Sequence, residues 1–182
     1  MHRGGEPSGS DVTAIDEFTT ARLIARRTCD DDFGDIARLY ADARVMATLG
    51  GVISEEQTRV RLAAMIEHWD RHGYGVWTFR TRSDGQFAGR AGLRNVRLAA
   101  TAETELLYAL RAELWGQGIA TEMARAILRI AFDQLRMPSL VAFTLPANRA
   151  SQRVMEKAGF GFEREITWAG LPHLLYRIAQ PR

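Results

Sequence analysis

The sequence predicts a single α/β domain of the α+β kind, a mixed and mainly antiparallel twisted sheet of about seven strands flanked by about four helices. Three observations predict it. The chain has 182 residues, the size of one domain. Runs rich in β-branched and aromatic residues pair off across short turns, which favours antiparallel neighbours. Between residues 105 and 145 a buried strand, a long amphipathic helix and a second buried strand follow one another, and such a crossover requires one parallel pair.

The elements follow in order. Residues 1–15 read as a flexible lead, because Gly4, Gly5, Pro7, Gly9 and Ser10 offer no apolar face to offset ordering entropy, so the domain is expected over residues 16–182. Folded structure should begin near Phe18. Leu23 and Ala25 alternate with Arg22, Ile24 and Arg26 as a first strand, and Asp30 to Asp32 give the acidic start of a helix carrying Ile36, Leu39 and Tyr40. A second helix starts after Ser54, with Glu55 and Glu56 in its first turn and Leu62, Met65, Ile66 and Trp69 at helical spacing. Gly73 ends it.

Val76 to Thr81 and Phe87 to Val96 form a predicted hairpin around Ser83, Asp84 and Gly85. Glu105 to Leu110 is apolar on both faces apart from Glu105, as a covered central strand should be. Ile119, Met123, Ala126, Ile127, Ile130 and Ala131 then mark an amphipathic helix of about four turns, stopped near Met137 and Pro138. Leu140 to Leu145 is the second buried strand. A short helix over about Ala150 to Ala158 stops at Gly159, and a last hairpin joins Phe162 to Trp168 with Leu174 to Ile178 through a turn at Gly170, Leu171 and Pro172.

Composition narrows the function classes. Apolar residues at 46% and charged residues at 25% exclude wholesale disorder. With 24 Lys and Arg against 22 Asp and Glu the net charge is +2, too small for a polycation built for nucleic acid, and no nucleic-acid partner is expected. No apolar run reaches the roughly 18 residues of a membrane span, and none follows the amino terminus as in a signal peptide, so a cytoplasmic protein without a membrane partner is expected. Cys29 is the single cysteine, which excludes an internal disulfide, and no metal site is expected because no Cys or His stands at ligand spacing.

The chemistry concentrates after the two buried strands. Gly116 and Gly118 introduce no Cβ, and the amides from Gly116 through Gln117, Ile119 and Ala120 to Thr121 meet the positive end of a helix, so this loop is a candidate pyrophosphate cradle. A glycine-containing helix start without a ligand is the alternative. The loop has neither the lysine of a P-loop nor the third small residue of a Rossmann fingerprint. Asn148 and Ser151, after the neighbouring strand, could hold the other end of an extended ligand or simply cap a helix.

Together these segments resemble the Gcn5-related N-acetyltransferase (GNAT) superfamily, and within it the RimJ/RimL branch of amino-terminal protein acetyltransferases. Glu105-Leu-Leu-Tyr108, Trp115-Gly-Gln-Gly-Ile-Ala-Thr-Glu122, Asn148-x-x-Ser151 and Glu156-Lys-Ala-Gly-Phe160 carry the resemblance in their order and spacing. Trp115 stands where most members have Gln or Arg, as in the RimJ/RimL branch. The resemblance implies the acyl-CoA N-acyltransferase fold, whose central parallel strands splay apart to admit the pantetheine arm of acetyl-CoA, the acyl donor. It further implies that the Leu110 region meets the pantetheine or the thioester carbonyl, that residues 116–121 hold the pyrophosphate and that Asn148 bonds the arm.

Many members place a thiolate-protonating tyrosine four residues before the Gly-Phe pair, where this chain has Met155, which leaves Ser151 as the candidate acid. Glu105, desolvated on its apolar strand, is the candidate base, the alternative being a buried carboxylate paired with Arg90 or Arg94. His173 is a second candidate, and direct attack with solvent taking the proton is a third route. Trp69, Tyr74 and Trp77 fit core packing better than an acceptor pocket. The acceptor implied is a primary amine, a protein or peptide α-amine in the RimJ/RimL branch. A small-molecule amine or aminoglycoside acetyltransferase and a non-catalytic acetyl-CoA-binding module are the alternatives. The oligomeric state is open, a homodimer included.

Overall fold

Residues 15–180 are described by a computed structural model. In chain order the elements are β1 (Glu17–Thr19), β2 (Leu23–Arg27), α1 (Phe33–Ala41), α2 (Ala43–Met46), α3 (Glu55–His72), β3 (Val76–Thr81), β4 (Phe87–Leu98), β5 (Thr101–Leu110), α4 (Ile119–Arg129), β6 (Ser139–Thr144), α5 (Arg149–Ala158), β7 (Gly161–Trp168) and β8 (Leu171–Ala179). The strands form one eight-stranded sheet in the order β1-β2-β3-β4-β5-β6-β8-β7. Every neighbouring pair is antiparallel except β5 and β6. The expected lead lies, up to residue 14, outside the described residues. Ile15 already packs on the core and accepts a hydrogen bond from the Trp77 indole at 2.9 Å.

Local chemistry explains the helices. In α3 the Ser54 hydroxyl accepts from the Gln57 amide while the Gln57 side chain accepts from the Ser54 amide, a reciprocal cap at the predicted start. Trp69 and Trp77 are fully buried and packed edge to face, as expected of core residues. Alternation along β5 separates two layers: Leu106 and Leu110 pack with Ile119, Met123 and Ile127 of α4, whereas Ala109 packs with Ile36, Leu39 and Leu62 of α1 and α3. Helices α4 and α5 thus cover one face of the sheet, and α1 to α3 cover part of the other.

Several elements differ from expectation. Strand β1 and the single turn of α2 are additional, being too short to show a period. Strand β5 begins at Thr101 rather than Glu105, since its polar first half turns back from β4 through Ala99 at φ 52°, with no glycine to mark the turn. Helix α4 continues as a π-helical turn over Ile130–Gln134. The last hairpin turns at Ala169 and Gly170, both with positive φ, so Leu171 and Pro172 belong to β8 and not to the turn.

One feature of the sheet positions everything that follows. Strands β5 and β6 share a single register pair, Glu105 with Val141. Beyond it they carry no further ladder contacts, while β5 stays fully paired to β4 and β6 to β8. The edge of β5 from residues 106 to 110 that faces β6 therefore leaves alternate backbone groups without a strand partner.

Candidate active site

The loop from β5 to α4 is held from both sides. Inside, the Trp115 indole donates to the Leu110 carbonyl at 3.1 Å. Outside, Arg22 donates to the Gln117 carbonyl at 2.8 Å and to the Glu122 carboxylate at 2.7 Å, and Glu122 also accepts from the Thr20 hydroxyl. Burial pushes the Glu122 carboxyl up, but these donors outweigh it and hold the group below its ordinary range. Gly116 and Gly118 adopt φ of 75° and 76°. A Cβ at Gly116 would meet nothing, so glycine is demanded by the left-handed backbone rather than by crowding.

That backbone leaves a row of donors unengaged. Among the described residues no acceptor engages the amides of residues 116–121; the first amide of α4 to find one is Glu122, bonded to the Gly118 carbonyl. A groove of about 460 Å³ adjoins this row, its lining including Arg22, Gly118, Arg125, Arg129 and Lys157 and one acid, Glu122, which Arg22 pairs. Cations and free amides together suit a polyanion.

The second segment starts differently. The Asn148 side-chain oxygen accepts from the Ser151 amide at 3.1 Å, so Asn148 caps α5, and its Nδ2 has no partner among the described residues. The Ser151 hydroxyl lies 2.8 Å from the Tyr108 hydroxyl, which also donates to the Ser151 carbonyl at 3.1 Å. Burial pushes the Tyr108 phenol up to about 12 against a smaller opposing contribution from Ser151, so it stays protonated throughout the neutral range. Tyr108 and Ser151 are joined across the gap between β5 and α5. Met155 is buried in the core.

Glu105 occupies the opposite face. Arg94 donates to one of its oxygens through Nε at 2.8 Å and Nη2 at 2.5 Å, so the paired-carboxylate arrangement holds, with Arg94 and not Arg90 as partner. Burial nevertheless pushes the Glu105 carboxyl above its ordinary range, because the Arg94 and Arg90 charges offset only part of the desolvation. His173 is half-buried on β8, its Nδ1 3.1 Å from the Leu171 carbonyl and its ring edge-on to Phe143 at 5.7 Å. Sequence reasoning missed the Tyr108 hydroxyl and Arg22. They meet their partners across 43 and 100 residues of chain, separations for which no local pattern exists.

Comparison with known proteins identifies the family and the fold. Residues 22–161 match the family model described as acetyltransferase (GNAT) domain. The protein YkkB of Bacillus subtilis is 30% identical over 171 residues, covering 91% of this chain and 96% of that one. A crystal structure of an acetyltransferase from Agrobacterium tumefaciens superposes with a TM-score of 0.81 at 27% identity, over 97% of this chain and 100% of that one. RimL, a ribosomal L7/L12 α-N-protein acetyltransferase solved with coenzyme A, shares the fold with a TM-score of 0.74 at 18% identity, over 88% of this chain and 96% of that one.

Proposed function

Because this chain belongs to the GNAT acetyltransferase family and is an acetyl-CoA-dependent N-acetyltransferase, we propose that it acts as a RimJ/RimL-like enzyme on the α-amine of a protein or peptide. The observation that carries the reading is the row of unengaged amides at residues 116–121 beside the unpaired edge of β5. Amides at a helix start suit a pyrophosphate, and an extended arm can add to a free strand edge through its own amides. Trp115 and the likeness to RimL support the branch.

When bound, acetyl-CoA supplies a thioester already activated toward an amine. The residues do the rest. Backbone N–H groups at 116–121 and the cations Arg22, Arg125 and Lys157 would hold its phosphates. Leu110 lies where β5 leaves the sheet, and Asn148 Nδ2 offers a donor to the arm from the opposite wall. Ser151 would stand as proton donor to the coenzyme's sulfur, its own proton replaced through the bonded Tyr108 hydroxyl and finally from water. Glu105 accepts a proton from the acceptor ammonium directly or through water, so the amine attacks neutral.

Two measurements test this. Acetyl-CoA should raise the melting temperature while NAD and ATP at equal concentration do not, and thiol release should require an amine or peptide. Absence of both effects would remove the assignment. Glu105→Gln should lower kcat/KM about 100-fold and spare acetyl-CoA binding. A base whose carboxyl sits above the ordinary range loses its proton only as pH rises, so the wild-type rate climbs along an acidic limb that the variant lacks. An unchanged limb in Glu105→Gln assigns the proton to the amine itself.

A further inference from the structure

The face of the sheet that carries Glu105 also carries an arginine with no acid to meet. Register places Arg90 and Arg94 on the same side of β4, Arg94 opposite Glu105 and Arg90 opposite Ala109. Arg94 spends its guanidinium on Glu105. Arg90 has no ion pair and no side-chain hydrogen bond among the described residues, and its Nε is out of reach of solvent and of any acceptor. The Tyr40 hydroxyl, on a residue with no exposed surface, is likewise buried without a partner among the described residues. The Arg90 guanidinium lies 5.2 Å from the Tyr40 ring centre, and the exposed Arg61 approaches the same ring at 5.6 Å.

Stacking on Tyr40 accounts for where Arg90 sits but uses none of its N–H donors. A half-buried guanidinium that spends none of its donors on the described residues is available to something that arrives. What it suits is an oxyanion. A guanidinium fork pairs with the two oxygens of a carboxylate or phosphate. Place decides the rest. Arg90 is one strand from the stretch of β5 whose far edge is unpaired, and its charge is felt by Glu105.

Resting on the acetyltransferase reading above, we propose that the acceptor amine carries an anionic group, a carboxylate or a phosphate, held by the Arg90 guanidinium while the amine faces Glu105. The same arginines disfavour polyamines and aminoglycosides, whose extra ammonium groups would meet the like charges of Arg90 and Arg61. For a peptide acceptor, the anion is an acidic side chain close to the amino terminus.

The test compares matched acceptors by thiol release from acetyl-CoA: peptides beginning Ala-Asp against Ala-Asn, phosphoethanolamine against ethanolamine, and spermidine as the cationic control. At least one anionic member should exceed its neutral partner about tenfold or more in kcat/KM, and the pair that does so tells carboxylate from phosphate. Arg90→Gln should bring that ratio close to one, mainly through KM of the anionic acceptor, and Arg90→Lys should keep part of it. Retained stabilisation by acetyl-CoA shows that each variant is folded.

Equal rates within both wild-type pairs, or faster turnover of spermidine, would overturn the inference while leaving an acetyltransferase. So would a ratio untouched by Arg90→Gln and Arg90→Lys. Failure of the wild-type protein to bind acetyl-CoA overturns the underlying reading instead.

Discussion

Helices α4 and α5 begin at the carboxyl ends of neighbouring parallel strands, yet they end their backbones in opposite ways. At α5 the Asn148 side chain accepts from the Ser151 amide and closes the first turn. At α4 the corresponding position is Gly118, which has no side chain to offer, and the amides of residues 116–121 stay open. The difference separates two uses of one motif. A capped start is finished within the protein and can contribute only what projects from it, here the Ser151 hydroxyl and Asn148 Nδ2. An uncapped start lacks its acceptor and is completed by an anion.

The largest expected effect comes from closing the open start. Gly118→Glu places a carboxylate at the helix N-terminus and forces a Cβ into a left-handed backbone, so it should weaken acetyl-CoA binding more than 100-fold by calorimetry while leaving α5 unaffected. Binding within tenfold of wild type would mean that the free amides are not the phosphate site. The next effect tests what the finished start contributes. Ser151→Ala leaves the Tyr108 hydroxyl its bond to the carbonyl of residue 151 but removes the shared hydroxyl, and should lower kcat about tenfold or more with little change in KM for acetyl-CoA. An unchanged kcat would show that the thiolate departs without an acid.

This contrast was only half legible in the chain. The glycines of the α4 loop, the Asn148 cap and the Ser54 to Gly73 limits of α3 all act within a few residues and can be read from spacing. So can the parallel pair, because a crossover helix leaves a strand little choice. Tertiary groups could not be read in the same way. Which arginine pairs with Glu105 depends on the register of β4 against β5, and the turn that sets it, at Ala99, has no turn residue. Arg22 grips Glu122 across 100 residues, and the empty donors of Arg90 and Tyr40 are defined by partners that are missing, which no pattern records.

The smallest effect sharpens the comparison most, because Asn148 is read twice: its oxygen as a cap and its nitrogen as a donor to the pantetheine arm. Asn148→Ala removes both. Losing a cap costs about 1 kcal/mol, which in a domain of this size lowers Tm by about 2–4 °C. Asn148→Asp keeps the accepting oxygen and its attraction to the helix start, so stability should stay near wild type, while the donor is gone and a charge stands in its place. KM for acetyl-CoA should therefore rise several-fold in both variants, with Tm falling only in the alanine one. If Asn148→Asp matched wild type in both quantities, α5 would begin on a purely structural cap, and grip on the cofactor would belong to the α4 side alone.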